Sequence, residues 1–399
     1  MARKPRILLL GGDADHNVGD RAIVTALAHC IATEYPSAEV ALVGNSFSSH
    51  AIPGITRIIH RGPRGIGSLA RCALRADRIL VAGGGLFQDD DSRAKMPYWA
   101  ARLALLRMLN SRIVGHSIGA GPLSHRESRV SARIACMAMK RVTVRDRFAR
   151  DTLAPCTSRA IEIVPDPAFM LEPAPPQAAI SFLERLEWQP DRPIIVATVR
   201  RWFHARGSFV PNAVKLNAGF ALPRNEARFE ALLDAVGHCL VHVARKLDAG
   251  ILLLPGYNVA HEADDVACEA LMRRLADVPA RLARIPDPGL YKAVLGRASL
   301  IVASRMHPLV MGAGMGVPIV GLSYNPKFDG LFELLGLEAR SLPLDRFPDL
   351  WAAPELLAAA EAAMERQAGL GQRADALATL TRRQALTAAF GELDGKAHG

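Results

Sequence analysis

The feature that most limits the fold of this chain is the alternation of short apolar runs with segments of helical periodicity. In the first half, helical patterns such as 22–35 and 98–109 separate most of the apolar runs. The predicted strands of this half are 6–10, 39–43, 57–59, 78–82, 112–116, 141–144 and 161–164. Such alternation is typical of βαβ units around a parallel sheet, so we predict a Rossmann-like half.

A second set of the same units follows a proline-rich break at residues 172–178. Its predicted strands are 194–199, 250–254, 280–285, 300–303 and 318–322, with helical patterns at 226–247 and 264–276. Two Rossmann-like α/β domains facing each other across a cleft are the simplest architecture. We therefore predict an N-terminal domain over 1–172, a linker over 173–191, a C-terminal domain over 192–350 and a C-terminal helical segment over 351–399.

Two segments depart from the alternation of strands and helices. The stretch 354–390 is rich in Ala, Leu and Glu at helical period, so we expect it to fold back over the domain junction. The stretch 205–225 has scattered Gly, Asn and Pro and little periodicity. A loop of this length is either a functional lid or simply mobile, and the sequence leaves both interpretations open.

Composition and charge restrict the partners. The net charge is +10 and much of the excess is arginine, which favours phosphorylated metabolites, lipid diphosphates or an acidic membrane surface. Nucleic acid is not expected, because no basic run interleaved with aromatics occurs. The six cysteines are scattered without C-x-x-C spacing, so neither disulfides nor zinc is expected. No apolar run reaches the length of a membrane span, which predicts a cytosolic protein, with association at the inner membrane face left open.

The strongest chemical signal is the pair Arg305 and His307, which follows the predicted strand 300–303. Open α/β sheets bind ligands at the carboxyl ends of their strands. Alternating residues near a strand end project the same way, so Arg305 could hold an anion while His307 exchanges a proton beside it. The alternative is a structural pair that caps the next helix.

Glycine turns with polar residues follow strands of the first half. The first turn contains Asp13, Asn17 and Asp20, for which we predict Asp20 as helix N-cap and Asn17 as a ligand contact. It lacks the dinucleotide-binding glycine pattern. The turn Gly83-Gly84-Gly85 leads to Gln88 and Asp89, which could hydrogen-bond a polyhydroxyl ligand or cap a helix. A third turn is predicted at 116–122.

The second half adds further polar groups. Arg200 follows a predicted strand and can offer a fork of donors to phosphate or carboxylate, although a surface arginine is the commoner case. Lys327, close behind Tyr324, could contribute another positive charge. For Asp146, at a helix start, and Asp166, between prolines, a structural role is the favoured interpretation.

Taken in order, these segments resemble the polysaccharide pyruvyl transferase family over roughly residues 6–340. The residues that carry the resemblance are Gly12-Asp13, Asn17, Gly19-Asp20, the triple-glycine turn with Gln88-Asp89, Ser117-Ile118-Gly119, Arg145-Asp146, Asp166-Pro167, Arg200, Trp202, Asp264-Asp265, Arg305, His307, Tyr324 and Lys327. The segment with Arg305 and His307, together with Tyr324 and Lys327, is the most specific part.

The resemblance implies a fold like that of two-domain GT-B glycosyltransferases. It also implies transfer of pyruvate from phosphoenolpyruvate, as co-substrate, to a sugar of a cell-surface polysaccharide or lipid-linked precursor, which forms a cyclic ketal. No cofactor or metal is expected. His307 and Arg305 would be catalytic, and phosphoenolpyruvate would be bound by Arg200, Arg305, Tyr324 and Lys327. The acceptor would be bound by Asp13, Asn17, Asp20, Gly84, Gly85, Gln88 and Asp89. A nucleotide-sugar glycosyltransferase of the same fold and a non-catalytic glycan-binding subunit remain as alternatives.

Overall fold

The computed structural model describes residues 4–45, 52–90, 92–201, 208–220, 226–259, 262–337, 341–344, 353–365 and 367–391. Two parallel β-sheets, one in each half of the chain, form its framework. The strands are almost entirely buried because helices cover both faces of each sheet, which is why they appear in the sequence as continuous apolar runs.

The first sheet has the order β3-β2-β1-β4-β6-β7-β8, with the short β5 paired to β6. Its strands are β1 (Arg6–Leu10), β2 (Glu39–Gly44), β3 (Arg57–His60), β4 (Arg78–Ala82), β5 (Gly85–Phe87), β6 (Ile113–Ala120), β7 (Arg141–Val144) and β8 (Glu162–Ile163). The helices between them are α1 (Val18–Glu34), α2 (Ile66–Arg75), α3 (Lys95–Leu109), α4 (Arg126–Ala138) and α5 (Arg147–Leu153).

The second sheet has the order β11-β10-β9-β12-β13-β14. Its strands are β9 (Ile194–Thr198), β10 (Gly250–Leu253), β11 (Ala280–Leu282), β12 (Leu300–Ala303), β13 (Ile319–Ser323) and β14 (Ser341–Pro343). The remaining helices are α6 (Pro176–Arg185), α7 (Asn212–Asn217), α8 (Glu226–Lys246), α9 (Asp264–Met272), α10 (Pro288–Leu295), α11 (Met306–Ala313), α12 (Lys327–Leu334), α13 (Ala353–Glu365) and α14 (Leu370–Phe390).

The predicted strands all form, with ends that differ by a few residues, and the two sheets lie on either side of the proposed linker 173–191. That linker contains α6, whose first helical residue is Pro176; proline suits this position because the helix needs no N–H there. One expected turn is wrong. The strand predicted to end at 116 continues to Ala120, because Ser117 adopts a positive φ of 52° and the pairing with β7 shifts register at this point.

The C-terminal segment crosses the junction, as expected. Helix α13 packs on α8 of the second half, whereas α14 packs on α1, β4 and β6 of the first. The ring of Phe390 at its end stacks on Tyr35 with centroids 3.8 Å apart. The chain therefore ties its two halves together through its last described helix. In the part of the chain that the structure describes, no helix has the length and apolar character needed to cross a bilayer.

Candidate active site between the two sheets

A cleft of about 600 Å³ lies between the carboxyl ends of the two sheets, a volume typical of small-molecule sites. The first glycine turn and α3 line one side, and the strand ends of the second sheet line the other. The predicted site residues that line it are Asp13, Asn17, Asp20, Gly85, Gln88, Arg200, Arg305, His307, Tyr324 and Lys327. The structure therefore brings together residues that are more than three hundred positions apart in sequence.

Arg305 is held by two buried acids. Its Nη2 donates to Glu262 Oε2 at 2.7 Å and to Asp264 Oδ1 at 2.5 Å, and its Nε donates to Asp264 Oδ2 at 2.9 Å. Burial alone would lower the pKa of Arg305, but the charges of Asp264 and Glu262 raise it well above its usual range. The guanidinium is therefore permanently charged and fixed in orientation.

Glu262 also joins Arg305 to a second arginine. Arg200 Nη2 donates to the same Oε2 at 2.9 Å, and its guanidinium carbon lies 4.4 Å from the centroid of the Tyr324 ring. The sequence analysis named Asp264 only among the residues that carry the family resemblance, and it missed Glu262. The position of Glu262 two residues before the start of α9 was the available sequence signal, whereas its pairing with two arginines depended on tertiary packing.

The projection argument for Arg305 and His307 is wrong in detail. The strand ends at Ala303 and α11 starts at Met306, so Arg305 has extended backbone at the N-cap position and His307 lies in the first helical turn. Both side chains still line the cleft. However, Arg305 turns toward the acids of its own domain, whereas His307 turns toward the first half of the chain.

His307 occupies a slot built by the first half. Its Nε2 lies 3.6 Å from Asp166 Oδ2, and its ring lies against Gly19 of α1, where a Cβ would come within 1.9 Å of Nδ1. Arg145 Nη1 donates to the same Asp166 oxygen at 3.4 Å. Burial alone would raise the pKa of Asp166, but His307, Arg145 and the Ala168 N–H lower it to about 2. Asp166 has the structural role expected of it, because its Oδ1 accepts from the Ala168 N–H and caps a short turn. The sequence analysis did not predict that its other oxygen would face the imidazole of His307.

Lys327 and Tyr324 line the same end of the cleft as Arg200 and Arg305. Lys327 Nζ donates to the Tyr324 hydroxyl at 2.6 Å. Burial favours the neutral phenol, but the positive charges of Lys327, Arg200 and Arg305 outweigh it and lower the pKa of Tyr324 below its ordinary value. This end of the cleft thus stabilises negative charge.

The first turn is capped differently from the prediction. Asn17, not Asp20, is the N-cap of α1, because its Oδ1 accepts from Gly19 N at 2.9 Å and Asp20 N at 3.2 Å. The Asp20 carboxylate instead accepts from Asp13 N at 2.8 Å and lies where a Cβ on Gly12 or Gly84 would collide with it. Both side chains line the cleft, but each also holds the turn in shape.

The triple-glycine turn contributes less than expected. Gly85 and Gln88 line the cleft, whereas Gly84 and Asp89 are not among the residues that line it. Asp89 is 1% exposed and accepts from the backbone N–H groups of Ser124 and His125, at 3.1 and 3.0 Å. Its carboxylate therefore fixes the segment before α4. The structure does not place Asp89 where it could contact an acceptor sugar in the cleft.

The two halves touch directly at the cleft. The Tyr257 hydroxyl donates to Asp13 Oδ2 at 3.0 Å, and Val18 N donates to Gly256 O at 3.0 Å. Burial and the charge of Asp13 raise the pKa of Tyr257, so it remains a donor. These contacts place the first glycine turn against the strand end of β10.

Part of the irregular stretch 205–225 also bridges the halves; residues 205–207 and 221–225 lie outside the described residues. Within it, Ser208 O accepts from Arg93 N at 3.0 Å and Phe209 O accepts from Ser92 Oγ at 3.1 Å. Pro211 lines the cleft just before α7. The described part of this stretch thus reaches from the second domain to the first at the entrance.

A cationic and aromatic wall on the first-domain side was missed by the sequence analysis. Arg102 lies 5.6 Å from the Trp99 ring centroid and donates to the Tyr98 hydroxyl at 2.8 Å. Burial and the charge of Arg61 lower the pKa of Arg102, which means that two guanidinium groups share this region. Lys95 lines the same wall, two turns before Arg102 on α3. Basic residues at i, i+7 around an aromatic pair were the available signal.

No group of three or more His, Cys, Asp or Glu side chains that could hold a metal ion occurs among the described residues. Arginine and lysine side chains line the cleft, namely Arg61, Lys95, Arg102, Arg145, Arg200, Arg305 and Lys327.

Comparison with known proteins identifies the family. The model of the polysaccharide pyruvyl transferase family matches residues 17–326 of the 399. Among curated proteins, none matches this chain significantly.

Solved structures share the fold at low sequence identity. A glycosyltransferase from Rickettsia africae has a TM-score of 0.58 at 10% identity, covering 98% of this chain and 99% of its own. A putative UDP-N-acetylglucosamine 2-epimerase from Listeria monocytogenes has a TM-score of 0.56 at 14% identity, covering 98% of each chain. The corresponding epimerase from Rickettsia bellii has a TM-score of 0.55 at 12% identity, again covering 98% of each. The fold is thus GT-B-like, and this chain belongs to the polysaccharide pyruvyl transferase family.

Proposed function

We propose that this protein transfers pyruvate from phosphoenolpyruvate to a sugar of a polysaccharide or lipid-linked precursor, as a cyclic ketal. The observation that carries the proposal is the composition of one cleft. His307, two fixed guanidinium groups and a lysine line one end of it, and a polar glycine turn lines the other. A doubly anionic small molecule and a polyhydroxyl acceptor are the ligands that suit these two ends.

Phosphoenolpyruvate would lie against Arg200, Arg305, Tyr324 and Lys327. Since Glu262 and Asp264 neutralise much of the charge of the two arginines, Lys327 supplies the excess positive charge at this end. The acids hold each guanidinium plane in place, so little reorganisation is needed when an anion arrives. Preorganised donors of this kind stabilise the phosphate as it leaves.

His307 would act as general acid. The protonated imidazole gives its proton to the methylene carbon of phosphoenolpyruvate, and positive charge develops at C2. One sugar hydroxyl attacks C2 and passes its proton to a carboxylate, a role that we assign to Asp13, which lines the cleft and accepts from the Tyr257 hydroxyl. The C2–O bond to phosphate then breaks, and the phosphate takes up that proton. A second hydroxyl closes the ketal and returns a proton to His307. A positioned acid contributes about 10²- to 10⁴-fold in rate.

The acceptor sugar would contact the first-domain side of the cleft, through Asp13, Asn17, Asp20, Gly85 and Gln88. The wall formed by Arg61, Lys95 and Arg102 extends this side with positive charge. We propose that it binds a phosphate of the acceptor, because these cations are held on the first domain and not at the end assigned to phosphoenolpyruvate.

The scheme uses no cofactor and no metal. That feature stays a prediction, as do the cytoplasmic location, association with the inner membrane face and the lack of a nucleic-acid partner.

The test is to incubate the purified chain with phosphoenolpyruvate and a crude lipid-linked or polysaccharide acceptor. Released phosphate would be measured, together with the mass of the acceptor. We expect stoichiometric phosphate and a mass gain equal to pyruvate less water. His307→Gln should abolish both, whereas His242→Gln, on α8 of the second domain, should abolish neither.

Two results would redirect the assignment. Addition of a hexose from a nucleotide sugar, with no use of phosphoenolpyruvate, would favour the glycosyltransferase alternative. Retained biological activity in His307→Gln would favour a non-catalytic glycan-binding subunit.

A further inference from the structure

The helices α2, α3 and α4 cover one face of the first sheet. Ala73, Leu103 and Ala135, one from each helix, pack into the same core as the strand residues Leu10 and Val81. The opposite face of the sheet is covered by α1 and α14. We call the solvent-facing side of α2–α4 the outer helical face.

Apolar side chains are exposed on this face at helical spacing. Leu105 and Met108 on α3 are 64% and 83% exposed, and Val130, Ile134 and Met137 on α4 follow the i, i+4, i+7 pattern, the last being 67% exposed. Helices α3 and α4 pack side by side, so their two stripes adjoin. Leaving several large aliphatic side chains of adjoining stripes in water is unfavourable, and such patches mark interaction surfaces.

Positive charge is concentrated on the same elements. Segments 61–76, 95–112 and 126–141 contain thirteen Lys and Arg residues and a single acid, Glu127, which is paired with Arg93. Their net charge is thus +12, more than the +10 of the whole chain, so the rest of the molecule is slightly acidic. Nine of the basic residues, including Arg71, Arg107 and Arg133, are exposed.

Exposed aliphatic stripes flanked by arginines are the pattern of helices that lie in the headgroup region of an anionic bilayer. The apolar side chains enter the acyl boundary, and the basic residues contact lipid phosphates. Nucleic acid fits less well, because the exposed apolar side chains of these helices are aliphatic apart from Tyr98, whose ring lies against Arg102 at the cleft.

We propose that the outer helical face docks this protein on the surface of an anionic lipid bilayer. Helix α3 connects this face to the cleft, because Lys95, Tyr98 and Arg102 in its first half line the cleft. Tyr98, Arg102 and Leu105 follow one another at i, i+4, i+7, so the exposed stripe begins at the cleft wall. Docking would therefore bring the first-domain wall close to the headgroups. If the proposed function holds, a lipid-linked acceptor could reach the cleft from the bilayer through this wall.

The experiment is vesicle flotation of the full chain, with phosphatidylcholine vesicles and with vesicles that also contain phosphatidylglycerol. We expect binding to the anionic vesicles to be at least tenfold stronger and to weaken with salt. The charge variant Arg71→Gln/Arg107→Gln/Arg133→Gln should weaken binding about fivefold for each charge removed. The apolar variant Leu105→Gln/Met108→Gln/Ile134→Gln should weaken it on zwitterionic and anionic vesicles alike.

A matched control variant, Arg245→Gln/Arg284→Gln/Arg297→Gln, removes three exposed charges from the second domain and should bind like wild type. Circular dichroism of each variant checks that it folds. Equal binding to both vesicle types, or equal losses in the control and charge variants, would overturn the proposal. So would concentration-dependent self-association in sedimentation that the apolar variant removes, because the face would then join two copies of the chain.

Because flotation needs no substrate, its failure would leave the proposed reaction standing, and failure of the reaction would leave the docking surface standing.

Discussion

The backbone of Gly19 lies directly against the imidazole of His307, so the first helix of one domain forms a wall of the slot that holds the proposed acid of the other. A Cβ at position 19 would lie 1.9 Å from Nδ1 and 2.7 Å from Cβ of His307, closer than van der Waals contact permits. The ring position is therefore set jointly by both domains.

This contact predicts that Gly19→Ala displaces His307 and lowers kcat by about 10²-fold or more, since a misplaced acid forfeits most of its effect. Activity and circular dichroism measure the two consequences separately. Gly67→Ala is the matched control, because a Cβ there meets nothing within 4 Å and helix propensity favours alanine. Wild-type kcat in Gly19→Ala would contradict the assigned ring position.

Asp166 predicts how stability depends on pH. Its pKa is lowered to about 2 in the folded protein, so its contribution is complete above its unfolded pKa of about 4 and is lost as pH falls toward 2. The shift corresponds to about 2 kcal/mol of unfolding free energy. Denaturant titrations between pH 5 and pH 2 should show this loss in wild type and a flatter dependence in Asp166→Asn.

Asp166→Asn should also lower kcat by more than it changes the KM for phosphoenolpyruvate, because the carboxylate faces the imidazole and not the proposed anion site. For the stability prediction, the same pH dependence of unfolding free energy in wild type and in Asp166→Asn would show that Asp166 is not the titrating group.

Arg305→Lys tests whether orientation matters beyond charge. Lysine keeps the positive charge but cannot make the two-point contact with Asp264, so we expect kcat/KM for phosphoenolpyruvate to fall by about 10²-fold. Arg245→Lys, in an exposed pair with Asp277, should change neither activity nor stability measurably. An active Arg305→Lys enzyme would mean that charge alone suffices.

Tyr324 should be detectable by spectroscopy. Because nearby positive charges lower its pKa below the ordinary value, an absorbance titration of phenolate should show one early step in wild type. That step should be absent in Tyr324→Phe and should move to higher pH in Lys327→Met, whose KM for phosphoenolpyruvate should also rise. An unchanged early step in Tyr324→Phe would assign it to another tyrosine.

Arg102→Gln separates the two ends of the cleft. If the first-domain wall binds the acceptor, this variant should raise the KM for the acceptor about tenfold or more, and it should leave the KM for phosphoenolpyruvate unchanged. A rise in the phosphoenolpyruvate KM alone would place that substrate at the wall instead.

The amino-acid sequence by itself determined the two parallel sheets, their approximate strand positions and the set of strand ends at which chemistry is concentrated. These depend on local periodicity and on the rule that parallel sheets carry ligands at their carboxyl edge, and both can be read from one chain. Thus Arg200, Arg305, His307 and Lys327 could be predicted from sequence to lie in one cleft.

Only the tertiary structure decided which groups meet there. Glu262 joins Arg200 and Arg305, Gly19 and Asp166 enclose His307, and Asp89 faces away from the cleft toward His125. Each of these contacts pairs residues from different elements, often from different domains. Such pairings follow from how whole sheets and helices pack, and no local pattern encodes that packing. With the same local propensity, a carboxylate can cap a turn, bridge two arginines or face a ligand.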